Sequence, residues 1–176
     1  MSDERPLAKD LAGDFAIPSY PNQTEFEKPR GINQIEVRRE CTSVHVSGLA
    51  EPLVKARLSV LRAVADAGVS IDFLKMSPDG LSFVIHDSST QAVADALNAL
   101  KVNYELHEDR VIFLAHAVNM RDEEGLIARI VSEAIASGAI IDHLGDMHDR
   151  VLIVTDSAGA DMMSTRIRTS MMEAVS

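Results

Sequence analysis

The chain has 176 residues, 46% of them hydrophobic, with 17 basic and 27 acidic side chains and a formal net charge of −10. That charge repels phosphate backbones and anionic lipid, which argues against nucleic acid and membrane surfaces as partners. Cys41 is the single cysteine and no apolar run approaches the length of a membrane span, so a soluble, cytoplasmic, reduced protein without an internal disulfide, cysteine-bound zinc or cofactor is expected.

Residues 1–30 hold Pro6, Pro18, Pro21 and Pro29 together with Phe15, Tyr20 and Phe26. Prolines at that spacing break both helical and strand periods, which predicts an irregular arm or linker. From Gly31 the pattern turns regular. Ile35 and Val37 alternate with polar residues as a half-buried strand, and Val44 and Val46 mark another that ends at Gly48. Val54, Leu58, Leu61 and Ala65 then recur at helical spacing, with Pro52 near the start and Gly68 past the end. "VSIDFLKM", the turn "SPDG" and "LSFVIHD" read as a hairpin. Val93, Leu97 and Leu100 space a second helix behind a Ser/Thr cap, and "NYELHED" closes the set as a short strand.

The set then begins again. "RVIFLAHA" is a strand, and Ile127, Ile130, Val131 and Ala134 line one side of a helix. "AIIDHLG" and "RVLIVTD" flank the turn "DMHD", and a last helix turns Met163, Ile167 and Met171 inward. The corner "AGVSID" at 67–72 returns as "SGAIID" at 137–142, so Gly68 and Asp72 answer to Gly138 and Asp142. Strand, helix, strand, strand, helix, strand is the ferredoxin-like order: an α+β fold with an antiparallel sheet and both helices on one face. No fourth strand follows the last helix, whereas Ile32–Val37 precedes the first set as a surplus. An open sheet edge exposes unpaired backbone groups, so this N-terminal strand (32–37) is expected to complete the second unit. The boundaries that follow are an arm over 1–30, a first unit over 31–109 that lends 31–38 to its neighbour, and a second unit over 110–176.

The segments "VSGLAEPLVKARL", "DAGVSIDFL", "LSFVIHD", "NMRDEEGLIARI" and "SGAIIDHL", in this order and spacing, resemble tandem ACT domains, most closely the pair at the C-terminal end of aspartate kinase. The resemblance spans Gly31 to Ser176 and implies a non-catalytic module for allosteric regulation in amino-acid biosynthesis. Its effector would be an amino acid of the lysine or threonine class, and its partners a second copy of the chain and an amino-acid kinase catalytic subunit. The kinase's Lys-Phe-Gly-Gly opening and any phosphate-cradling Gly-rich loop are absent, so the likeness is to a separate regulatory subunit. A second reading keeps the fold for oligomerisation alone.

By that resemblance the effector lies where the loop after the first strand meets the start of the second strand of a neighbouring unit. Carried onto this chain, the loop is Ala50, Glu51, Pro52 and Leu53, and the facing corner is Ser70, Ile71 and Asp72. The second unit supplies Asn119, Met120, Arg121 and Gly125, facing Ala139 and Ile140. Leu53 stands where the family has Gly, Met76 where it has Gln, and Ser70 and Ala139 where it has Asn.

Two other sets of residues carry chemistry in principle. Asp142, His143, Asp146, His148 and Asp149 could ligate a metal, although a strand would turn Asp142 and His143 to opposite faces and the rest read as a polar turn, so no metal site is expected. Cys41, on a strand, reads as a packing residue. The strand "VIFLAHAV" is apolar at nearly every position, which implies cover on both sheet faces and, through it, assembly into at least a dimer.

Overall fold

The computed structural model describes residues 31–117, 120 and 124–173, so the arm at 1–30 lies outside the described residues. Within them, the two N-terminal alternations belong to one long strand, β1 (Ile32–Ser47). It is followed by α1 (Leu53–Asp66), β2 (Phe73–Met76), β3 (Leu81–His86) and, after a 3-10 turn, α2 (Thr90–Leu100). The second long strand, β4 (Asn103–Ala117), leads to α3 (Leu126–Ala136), β5 (Ile141–Asp146), β6 (Arg150–Asp156) and α4 (Ser157–Glu173). All strands pair antiparallel in one sheet of order β2-β3-β1-β4-β6-β5.

The long strands serve both repeats. The C-terminal part of β1 pairs with β3 and with the start of β4, Val46 facing Leu81 on one side and Tyr104 on the other. Its N-terminal part runs beside the end of β4, from Ile32 opposite Ala117 to Arg38 opposite Ile112, and so fills the edge that the second set leaves open. Four strands read as separate are therefore two. The charged stretches Arg38–Cys41 and Glu108–Arg110, which look like loops, are bends: the β1–β4 register slips between Arg38 and Cys41, and Glu40 and Asp109 take left-handed backbone angles (φ 60° and 54°).

That waist folds the sheet over. Flat, six strands about 4.8 Å apart would hold β2 and β5 roughly 24 Å from each other. Instead the rings of Phe73 on β2 and His143 on β5 lie 5.2 Å apart. The inner faces of the two halves meet in a core of Cys41, Val84, Ile112, Leu114, Leu152 and Val154, with Phe73 at its margin. The helices cover the outer faces: Val60, Val64, Val93 and Leu97 over Val44, Val46, Phe83 and Ile85 in one half, and Ile130, Ala134, Met163 and Ile167 over Val111, Phe113 and Ile153 in the other. The second apolar face of "VIFLAHAV" is thus covered by the chain's own other half, and needs no second copy. Cys41 packs in this inner core, and burial pushes its thiol pKa up, with Asp72 and Asp87 adding to the effect.

α1 differs from the expected packing. It carries two neighbouring apolar stripes, and the one that is buried holds Leu53, Val60 and Val64. Val54 and Leu58 are left 69% and 47% exposed. Leu74 and Met76 on the outer strand β2 are also exposed, opposite Phe83 and Leu81 and therefore on the same helix-bearing side. Of the final helix, Met163 and Ile167 are buried as expected, while the side chain of Met171 lies outside the described residues.

Candidate functional site

The first-unit loop leaves β1 at Gly48, whose left-handed backbone (φ 62°) suits glycine. Its N–H donates to Asp79 Oδ2 (2.9 Å) and that of Leu49 to the Asp79 carbonyl (2.9 Å), so the loop is tied to the β2–β3 turn. The Gly48 N–H holds the Asp79 carboxyl below the usual aspartate range. Ala50, Glu51 and Pro52 are exposed, and Glu51 Oε2 accepts from the Leu53 N–H (3.0 Å), capping the start of α1. Glu51 stands free of any ion pair among the described residues.

The facing corner, Ser70–Asp72, follows α1. A helix of 14 residues rises about 21 Å, so loop and corner sit at opposite ends of the same unit. The structure does not bring them together within one chain. Ile71 packs against the first core, and the Asp72 N–H donates to Val84 O (2.9 Å). Ser70 is exposed, and the N–H groups of Ser70 and Ile71 have no hydrogen-bond partner among the described residues.

The second corner is chemically different. Asp156 at the end of β6 accepts from the N–H of Ile140 (3.0 Å) through Oδ1 and from that of Gly159 (3.0 Å) through Oδ2. Partial burial works against its charge, but the backbone donors of Gly159 and Ile140 prevail and hold its pKa below the ordinary value. A side chain at Gly159 would lie 2.6 Å from both Ala139 Cβ and Asp156 Oδ1, so the corner is closed by the chain's own carboxylate. At the matching position of the first unit stands His86, whose Nδ1 accepts from the Ser88 N–H instead. Sequence comparison of the two corners alone missed this, because Asp156 lies on another strand. Of the remaining second-unit residues, Met120 is fully buried in the core and Gly125 opens α3 with φ 76°. Asn119 and Arg121 lie outside the described residues.

The acidic and histidine set is dispersed. The β5–β6 register slips between Ile141 and His143, so Asp142 and His143 turn to the same inner side rather than to opposite faces. Asp142 accepts from Arg110 Nε (2.7 Å) with His107 Nδ1 3.8 Å away, and Asp149 pairs with Arg150. No group of three or more potential ligands is set to hold a metal among the described residues.

His143 makes a measurable prediction. Burial against Phe73 lowers its pKa below 6.5; Asp142 opposes this, and Lys75, His45 and His107, which face it, add to it. As pH falls the unfolded chain takes up the proton first, so stability is complete above about pH 6.5 and declines toward the folded-state pKa. The urea midpoint is expected to fall between pH 7 and 5.5, and His143→Leu should shrink that fall. An unchanged fall in the variant would assign it to other groups.

Two ferredoxin-like units, the first set between the two parts of the second, with helices outside and sheets meeting inside, define the fold of a tandem ACT region. No protein-family model matches the sequence, and no curated protein does. Solved structures do. The regulatory subunit of aspartate kinase from Thermus thermophilus, in its ligand-free form, superposes with a TM-score of 0.71 at 14% identity over 80% of this chain and 97% of its own. The Thermus flavus regulatory subunit gives 0.71 at 14% identity over 81% of this chain and 99% of its own. The aspartate kinase of Clostridium acetobutylicum gives 0.67 at 16% identity over 78% of this chain but 34% of its own. The chain therefore has the fold of the aspartate kinase regulatory subunit, matched over nearly the whole of that subunit. Among the described residues no helix is long and apolar enough to cross a membrane.

Proposed function

We propose that the protein is a cytoplasmic, non-catalytic regulatory module that binds a free amino acid, of the lysine or threonine class, and passes its occupancy to an amino-acid kinase catalytic subunit. The observation that carries this reading is the asymmetry of the two corners. In the first, the N–H groups of Ser70 and Ile71 are open to an α-carboxylate; in the second, Asp156 already occupies the equivalent place. Glu51 supplies the charge for the α-ammonium. Backbone donors and one carboxylate suffice to hold a zwitterion.

The site is completed by a second copy. Edge strand β2, flanked by exposed Val54, Leu58, Leu74 and Met76, pairs antiparallel with its own equivalent across a twofold axis. That pairing sets the loop of one protomer beside the corner of the other, so binding and association are coupled. The same apolar edge supports the second reading, in which oligomerisation is the whole task.

Thermal-shift measurements against the twenty amino acids separate the two. An effector at 100 times its dissociation constant is expected to add about 2.7 kcal/mol of stability. Glu51→Gln, which keeps an oxygen for the Leu53 N–H while removing the charge, should weaken binding about tenfold. Flat responses to every amino acid, from protein freed of bound ligand by refolding, would leave only the oligomerisation reading.

A further inference from the structure

Among the described residues, three cavities of two kinds stand out. Two lie between α3 and α4, of about 510 and 240 Å³, and their charged groups are already matched: Asp161 accepts from Arg39 (2.6 Å) and Arg166 donates to Glu133 (3.0 Å). The third lies between the start of α1 and the end of α2. It measures about 380 Å³, within the range of small-molecule sites.

This cleft has the composition of a binding site. Leu49, Ala56, Leu100 and Val102 make its accessible apolar lining, over the buried Val60, and Lys101 and Asn103 add polar groups. The Lys101 ammonium has no hydrogen-bond or ion-pair partner among the described residues. The Asn103 amide nitrogen stands beside the loop, 3.5 Å from where a side chain on Gly48 would begin. Ser59 donates its proton to the Lys55 carbonyl (3.0 Å) and has none to offer a ligand.

A second, independent observation concerns Lys101 itself. α1 and α3 are each followed by a glycine in the left-handed region, Gly68 at φ 72° and Gly138 at φ 76°. α2 ends instead on Lys101 at φ 56°, where a lysine is strained and glycine is not. A charged side chain kept at a position suited to glycine, on the wall of a cleft, indicates a use for the ammonium.

We propose that this cleft is a second small-molecule site, which shares Ala50 with the effector loop but neither Glu51 nor the Ser70 corner, and that it takes a short branched aliphatic carboxylate of the 2-oxo acid class. The carboxylate pairs with Lys101, the oxo oxygen accepts from the Asn103 amide, and the aliphatic end lies on Leu49, Ala56 and Val102. No acidic side chain lines the cleft, so the ammonium of an α-amino acid would meet Lys101 without a compensating anion. The 2-oxo acid is preferred to its amino acid for that reason, the reverse of the preference assigned to the Ser70 corner.

The test is a titration of the full chain, followed by the methyl NMR signals of Leu49, Val60 and Val102, with 2-oxoisovalerate and with L-valine. Saturable shifts with 2-oxoisovalerate at millimolar concentration are expected, at least about fivefold tighter than with valine. Lys101→Gln and Lys101→Gly should both abolish them, while Lys101→Gly melts higher than the parent, so loss of binding and loss of fold are distinguished. No saturable shift, equal or tighter binding of valine, or unchanged binding in Lys101→Gln would each overturn the proposal. None of these outcomes bears on Glu51 or Ser70, so the effector seam stands or falls separately.

Discussion

A chain that begins at Arg39 is expected to lose cooperative folding of its α3–α4 half, whereas one that begins at Gly31 retains it. The difference between the two is the strand Ile32–Arg38. It supplies six paired positions along the end of β4 and the flanking side chains Ile32, Ile35 and Val37 of the second core. Net gains of about 1 kcal/mol per backbone hydrogen bond and about 1 kcal/mol for each half-buried aliphatic chain bring the loss to roughly 5 kcal/mol or more. That is comparable with the whole stability of an ordinary domain. It would also bare the backbone of Val111–Ala117, one of the most apolar strands in the molecule, and aggregation should follow. Circular dichroism melts and light scattering of the two chains decide the matter. Equal melting points would mean that the second half stands without its borrowed strand.

Ile112→Asp is the second substitution with a large expected effect. Ile112 is 1% exposed and lies on the face of β4 that carries no helix. Were the two half-sheets apart, that face would meet water and an aspartate there would cost little. Packed as they are, it buries a carboxylate among Val84, Leu152 and Val154, and Arg38, its neighbour across the β1–β4 pair, is already held by Glu36 (2.6 Å), so the expected cost is about 3–5 kcal/mol. Ile112→Ala leaves a cavity and should cost about 2–5 kcal/mol, while Leu74→Asp, on the exposed edge, should leave the stability of a single chain nearly unchanged and act on association alone. Urea denaturation of the three variants ranks them; a mild Ile112→Asp would refute the folded-over sheet.

Much of this architecture was legible in the sequence because its signals are local. The repeated corner at Gly68 and Gly138, the period-two runs in "LSFVIHD" and "RVLIVTD", and the surplus strand at Ile32–Val37 each need only neighbouring residues to be read. The bends were not legible. Arg38-Arg39-Glu40 and Glu108-Asp109-Arg110 carry the charge of loops, and nothing local distinguishes a loop from a strand that turns a corner without stopping. The choice between the two apolar stripes of α1 was equally hidden, since Leu53/Val60/Val64 and Val54/Leu58/Leu61 satisfy the same helical period. Around the candidate site, what the sequence made legible was local structure. Loop and corner were located, but the closure of the second corner depends on Asp156, brought to Ile140 by strand pairing.

The borrowed strand has a further consequence for the birth and inheritance of the molecule. Ile32–Arg38 leaves the ribosome ahead of the first repeat, yet its partner on β4 is translated only after the whole of that repeat. The nascent chain must carry an unmatched apolar strand throughout that interval, a demand that favours rapid closure of the first repeat around Cys41–Ser47. Inheritance is constrained in the same way. Since the second repeat is assembled from both sides of the first, no single crossover in the gene can deliver the second repeat whole without carrying the first along with it.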